Sequence, residues 1–231
     1  MFATKATLVY NYFMVKQINF PDYSVESKYL KVHHAIAGVD EVGVGPLAGP
    51  VVAAAVVLDP KKIVISRATK QWWHEVRDSK KLTHRKREEL VKEILRNAKT
   101  FGIGSATVLE IDELNILKAR LLAMKRAIKN LKYLPQLALI DGNKIIPQVS
   151  IKQECIIKGD EKVLSIACAS IIAKVTRDNI LKNLHKKFPE YRFDKHKGYS
   201  TKLHKEKIKE FGLCDEHRKT FGLVREILNR S

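Results

Sequence analysis

Residues 37–58, AGVDEVGVGPLAGPVVAAAVVL, constrain the fold more than any other stretch of the chain. A short apolar run (Ala35, Ile36, Ala37, Val39) delivers two adjacent carboxylates, Asp40 and Glu41. A turn rich in glycine follows (Gly43, Gly45, Gly49), and then an almost wholly apolar run over 51–58. Both apolar runs read as buried strands. Acid at the end of a buried strand is costly unless it is paired or bound to a cation. Glycines beside it let a backbone come close to a phosphate or a sugar. The segment therefore reads as a site for a metal and a nucleotide.

The rest of the chain supplies the elements such a pair of strands must pack against. Thr83 is a fair helix N-cap, and Leu90, Val91, Ile94 and Leu95 form the apolar stripe behind it. Residues 101–109 read as a strand. Leu114, Leu117, Leu121, Met124, Ile128 and Leu131 recur at spacings of three and four and predict one helix over 111–131, stopped before Pro135. Residues 137–140 form a short apolar strand that ends on Asp141, Gly142 and Asn143, and 149–157 read as another. A long helix spans 163–188, its first half small and apolar. A basic, tryptophan-bearing loop fills 60–81, and a helix around 201–211 is closed by Gly212. Strands alternating with helices indicate an α/β sheet packed by helices. Residues 1–34 lack periodicity and are expected to be a poorly ordered lead-in, with Met14 an alternative start.

At 231 residues the chain fits one large domain, or one domain plus an appendage. Its 43 Lys and Arg against 25 Asp and Glu leave a net charge of +18. A field of that sign favours a polyanion, nucleic acid ahead of an anionic membrane surface. The three cysteines lie far apart, which argues against a zinc site or a disulfide framework and fits a reducing cytoplasm. No apolar run approaches the roughly 18 residues of a membrane span. Lys5, Asn11 and Lys16 interrupt the first residues, so no secretory signal is expected.

Four acids stand where an apolar element ends or buries itself. Asp40 and Glu41 close the first strand, Asp141 closes the 137–140 strand, and Asp178 shares a helix face with Ala167, Ile171 and Lys174. Converging, they would hold two Mg²⁺ or Mn²⁺ ions, which prefer oxygen ligands and promote in-line phosphoryl displacement by water. Taken singly, each also reads as a turn, cap or salt-bridged residue, and spacing leaves both readings open. Adjacent strand residues face opposite ways. Asp40 and Glu41 therefore share a site only if the backbone bends after Val42 or Glu41 reaches around. Residues 43–48 also satisfy the loose G-x-G-x-x-G/A pattern of dinucleotide-binding folds, which should open a helix. Pro46, Pro50 and the valines that follow favour a strand instead.

The motifs Gly38-Val39-Asp40-Glu41-Val42-Gly43 and Gly45-Pro46-Leu47-Ala48-Gly49-Pro50 resemble the opening of ribonuclease HII. So do Asp78-Ser79-Lys80-Lys81-Leu82, Ile111-Asp112-Glu113-Leu114-Asn115, Asp141-Gly142-Asn143, Ala173-Lys174-Val175-Thr176-Arg177-Asp178 and Lys195-His196-Lys197-Gly198-Tyr199, in the family's order. The resemblance implies a ribonuclease H-like mixed five-stranded sheet flanked by helices over 35–188, with a helical C-terminal extension over 189–231. It implies that Asp40, Glu41, Asp141 and Asp178 are the catalytic, metal-binding acids, serving Mg²⁺ or Mn²⁺, two ions with substrate. It also implies that Gly43, Val44, Gly45 and Tyr199 read the 2′-hydroxyl that separates RNA from DNA. Lys80, Lys81 and Lys197 join them as substrate-binding residues.

The implied partners are RNA–DNA hybrids and duplex DNA carrying a ribonucleotide, acted on by a cytoplasmic monomer with no membrane association. Cleavage 5′ of the ribonucleotide would leave 3′-hydroxyl and 5′-phosphate ends. One departure stands out: Val44 occupies the place of the family's usual arginine, so a guanidinium contact to phosphate is lost. Ribonuclease HIII is the nearest alternative, but only 39 residues precede Asp40, too few for its extra N-terminal domain. A non-catalytic nucleic-acid-binding protein would explain the charge without explaining the acids.

Overall fold

The computed structural model describes residues 20–63, 71–77 and 79–229. The first 19 residues of the lead-in, residues 64–70 of the tryptophan loop, Asp78 and the last two residues lie outside them. The apolar runs on either side of the glycine turn form strands β1 (Ile36–Val42) and β2 (Val51–Leu58). All eight residues of β2 are buried, as a strand covered on both faces must be. With β3 (Ala98–Ala106), β4 (Leu137–Asp141) and β5 (Lys152–Ile156) they make one mixed sheet in the order β3-β2-β1-β4-β5. Strand β1 runs antiparallel to β2 and parallel to β4. The carboxyl ends of β1 and β4 thus lie side by side, which brings Asp40, Glu41 and Asp141 to one end of the sheet.

Helices cover both faces. Helix α4 (Ile116–Lys129) lies on the face presented by Ala37, Val39, Val51 and Ala53, with Ala123, Met124 and Ile128 buried against them. The long helix α5 (Leu164–Lys187) covers the other face with α2 (His84–Asn97), burying Ala54, Val56, Leu90, Ile94, Ala167 and Ile171. Thr83 caps α2 through Lys86 N, as its side chain suggested. After the glycine turn the chain enters β2, not a helix, so the dinucleotide pattern lacks the helix N-terminus it needs.

Three expectations shift. The single helix over 111–131 is two, α3 (Val108–Leu114) and α4, broken at Asn115, whose φ is 69°. Asn115 caps α4 by accepting from Leu117 N and Lys118 N. The break resets the helical phase, so Leu117 faces solvent while Ala119, Ala123 and Ala127 are buried. Strand β3 ends at Ala106, because Thr107 and Glu110 form a capping box that starts α3.

The described part of the lead-in, residues 20–34, is ordered. Helix α1 (Ser24–Tyr29) buries Glu26, whose Oε1 accepts from Ser165 N at the start of α5 (2.8 Å). The signal was an acidic side chain feeding a helix N-terminus, which carries no periodicity.

Beyond α5 come the short α6 (Phe193–His196), α7 (Lys202–Phe211, closed by Gly212 at φ 75°) and α8 (Gly222–Leu228). Two buried imidazoles, His204 and His217, tie them together. Cys214 N donates to His217 Nδ1 (3.0 Å), and the Nε2 atoms of His217 and His204 are 3.1 Å apart. His204 Nδ1 lies 2.9 Å from the Tyr199 carbonyl, to which it donates. This chain of donors closes only with both rings neutral. Burial, first, drives both pKa values down to about 4.

The folded values lie below the ordinary 6.5, so this contribution is fully present above pH 6.5 and is lost as pH falls toward 4. Each imidazole is expected to withdraw about 2 kcal/mol between pH 7.5 and pH 5. Glu26 acts in the opposite sense: burial lifts its carboxyl to about 7, so its contribution falls as pH rises from 4.5 through 7. Urea titrations of Glu26→Gln with and without His217→Gln subtract the other raised carboxyls, Asp40 and Glu41 among them. An equal pH dependence in the two variants would contradict the neutral pair.

Candidate active site

Asp40 and Glu41 are successive residues of β1 and do face opposite sides of the sheet. Asp40 points to the α5 side, where Ser170 bonds its carboxyl, and its Oδ1 accepts from Glu41 N (2.7 Å). Glu41 points to the α4 side and takes Arg120 Nη1 at 3.1 Å. No bend reconciles them; the strand stays regular to Val42. They share a field because both lie at the strand's carboxyl end, beside Asp141 of the parallel neighbour. Asp141 is held by Gly159 N, which donates to its Oδ1 (2.7 Å).

The electrostatics identify which acids belong together. Burial raises the Asp40 carboxyl well above the usual carboxylate range, and the charges of Glu41, Asp141 and Asp160 raise it further. Glu41 is also raised, by burial and by Asp141, against the pull of Arg120. Its Oε2 is buried without a hydrogen-bond partner among the described residues. This is a concentration of oxygen donors with negative charge left uncompensated, the chemistry a hard divalent cation satisfies. As the side chains stand, no group of three or more His, Cys, Asp or Glu residues among those described is drawn close enough to hold an ion.

Asp178 is placed differently from the expectation. It is buried at 3% exposure, but its charge is already met: Lys174 Nζ lies 2.7 Å from Oδ1 and Arg87 Nη2 3.4 Å from Oδ2. Arg87 also donates to the carbonyls of Ser79 (2.8 Å) and Leu82 (2.7 Å). Asp178 therefore anchors the segment that carries Lys80 and Lys81. Asp160, on the turn Gly159–Glu161 just ahead of α5, is the acid that acts on Asp40 in its place. Its signal was available as an acid after glycine at the start of a long apolar helix, but no strand end marked it.

The glycine turn is built from beneath. Arg177, wholly buried, donates to the carbonyls of Pro50 (2.9 Å), Ala48 (3.0 Å) and Lys197 (3.0 Å). Gly43 adopts φ 97°, and a Cβ there would sit 2.3 Å from Arg177 Nε. Gly45 is different: a Cβ on it would meet nothing within 4 Å, so the fold itself does not demand glycine.

Through Lys197 the same arginine reaches the segment of Tyr199, whose ring centroid lies 5.8 Å from both Lys174 Nζ and Arg177 Cζ. The turn and Tyr199 are thus both held by Arg177, the neighbour of Asp178 on α5. Lys197 Nζ donates to the Asp194 carbonyl, and burial lowers its pKa while Asp178 raises it. Lys80 is exposed; the side chain of Lys81 lies outside the described residues.

Residues 37–224 match the family model for ribonuclease HII. A ribonuclease HII from Burkholderia pseudomallei (strain 668) is 51% identical over 191 residues, covering 83% of this chain and 85% of the relative. Among solved structures, the ribonuclease H2 of Pyrococcus horikoshii OT3 superposes with a TM-score of 0.69 at 29% identity, covering 85% of this chain and 98% of that one. The ribonuclease HII in a complex with PCNA from Archaeoglobus fulgidus gives 0.61 at 27% identity, covering 81% and 95%. No described helix is long and apolar enough to cross a membrane.

Proposed function

The chain belongs to the ribonuclease HII family of metal-dependent endonucleases, and from that membership we propose that it hydrolyses the RNA strand of RNA–DNA hybrids and nicks duplex DNA 5′ of an embedded ribonucleotide. The products carry 3′-hydroxyl and 5′-phosphate ends. The observation that supports this most is the uncompensated carboxylate field on Asp40, next to a glycine turn that leaves room for a ligand.

In this reading Asp40, Glu41, Asp141 and Asp160 hold the divalent cation, Mg²⁺ or Mn²⁺, two ions with substrate present. The bound metal supplies the Lewis acidity that activates water and offsets charge on the phosphate. Arg120 engages Glu41, Ser170 engages Asp40 and the Gly159 amide engages Asp141, and in this reading their remaining oxygens would turn toward the bound cation. Gly43, Val44 and Gly45 offer backbone amides to the 2′-hydroxyl. The Tyr199 hydroxyl reaches the same ribose while its ring packs on the sugar. Lys80, Lys81 and Lys197 meet the phosphates, and the net charge of +18 carries the duplex in. Asp178 holds the segment of Lys80 and Lys81 in register rather than the metal.

The test is a nicking assay on duplex DNA with one ribonucleotide. Cleavage on its 5′ side with Mg²⁺ or Mn²⁺, and none with chelator or on all-DNA duplex, is the expected result. Cleavage in chelator, or of the all-DNA duplex, would refute the reading.

A further inference from the structure

Arg218 lies between α7 and α8, 175 positions from the glycine turn, yet it is wholly buried beneath that turn. Its Nη2 donates to Gly43 O (2.6 Å) and Gly49 O (2.7 Å), its Nη1 to Val44 O (3.1 Å) and its Nε to Gly49 O (2.9 Å). The backbone reinforces the junction: Arg218 N donates to Leu47 O (2.8 Å) and Gly49 N to Glu216 O (2.9 Å). No carboxylate pairs with the guanidinium among the described residues; carbonyl oxygens meet it instead. A buried arginine satisfied only by carbonyls is a costly way to fasten a segment.

Peptide planarity gives that arrangement a consequence. The described peptide bonds are all trans, and in a trans peptide the C=O of one residue and the N–H of the next point in opposite directions. Because Arg218 draws in the carbonyls of Gly43 and Val44, the N–H groups of Val44 and Gly45 must point away from it. Neither N–H has an acceptor among the described residues. The open space at the Gly45 Cβ position lies by the second of them.

We propose that Arg218 is a positioning residue for ribonucleotide recognition: it fixes the turn so that the Val44 and Gly45 amides face the substrate ribose. This rests on the reading that the turn senses the 2′-hydroxyl. The C-terminal segment is then part of the specificity apparatus, not an appendage. With valine at 44, discrimination would then rest on backbone donors whose aim belongs to Arg218.

Anisotropy binding in chelator, comparing duplex with one ribonucleotide against all-DNA duplex, reads the effect without catalysis. Wild type is expected to prefer the ribonucleotide duplex about tenfold or more. Arg218→Lys, which keeps charge but loses the fork, is expected to bind both alike and to show a raised KM with kcat changed far less. Arg126→Lys, whose arginine meets Glu110 and the Ser105 carbonyl and not the glycine turn, is expected to keep the wild-type preference. A wild type without preference refutes the reading of the turn itself. A wild type with preference that Arg218→Lys retains overturns the role of Arg218.

Should Arg218→Lys not fold, Arg218→Gln, which keeps a planar donor, is read in the same binding assay. Equal binding of the two duplexes supports the proposal, and the wild-type preference retained overturns it.

Discussion

Asp40→Asn is expected to lower the nicking rate by about 10³-fold or more while raising the melting temperature by a few degrees. The two effects have one cause. Asp40 is 5% exposed and carries the charges of Glu41, Asp141 and Asp160 against its own. Asparagine has the same shape and can still bond Ser170, but it removes the central charge of the cluster. A cation then loses a charged ligand, and the protein without metal loses a repulsion it could not relieve. Steady-state nicking and thermal melts on the same samples separate this from misfolding. A variant that loses activity by losing stability would show both falling together.

Gly38→Ala is expected to cost about 3 kcal/mol or more, close to 10 °C in melting temperature for a chain of this length. Gly38 sits two residues before Asp40 at the crossing of β1 and α5. A Cβ there would lie 2.2 Å from the Ser165 carbonyl carbon and 2.3 Å from Ile166 N, both backbone atoms at the start of the long helix. No side chain can swing aside to make room; the helix must lift off the strand. Lifting it also moves Ser170, which bonds Asp40, so the folded fraction should nick more slowly as well. Urea denaturation gives the first quantity and activity per folded molecule the second. A change below 1 kcal/mol would mean that the helix does not rest on the strand as described.

Much of this was legible in the chain. The apolar runs on either side of the glycine turn had to be central strands, and β1 and β2 are the sheet's middle. The parallel pairing of β1 with β4 was not readable, yet it is what carries Asp141 to Asp40 and Glu41. Periodicity misjudged the 111–131 helix because Asn115, a residue tolerant of positive φ, breaks it without a glycine or proline to announce the break. Asp178 shows the limit for acids: a carboxylate on a buried helix face needs a partner, and its partners are Arg87 and Lys174. The residues least visible in the sequence are the buried arginines. Arg177 and Arg218 look like two more cations in a basic chain, and only the folded chain shows carbonyls gathered around them.

The proposed centre of Asp40, Glu41, Asp141 and Asp160 is tested most directly by Mn²⁺ titration calorimetry on wild type, Asp160→Asn and Asp178→Asn. Loss of Asp160 is expected to weaken Mn²⁺ binding about tenfold or more. Loss of Asp178 is expected to leave Mn²⁺ affinity within about twofold of wild type, while loosening the segment of Lys80 and Lys81. The opposite outcome, Mn²⁺ binding untouched in Asp160→Asn and lost in Asp178→Asn, would contradict the assignment and return Asp178 to the metal.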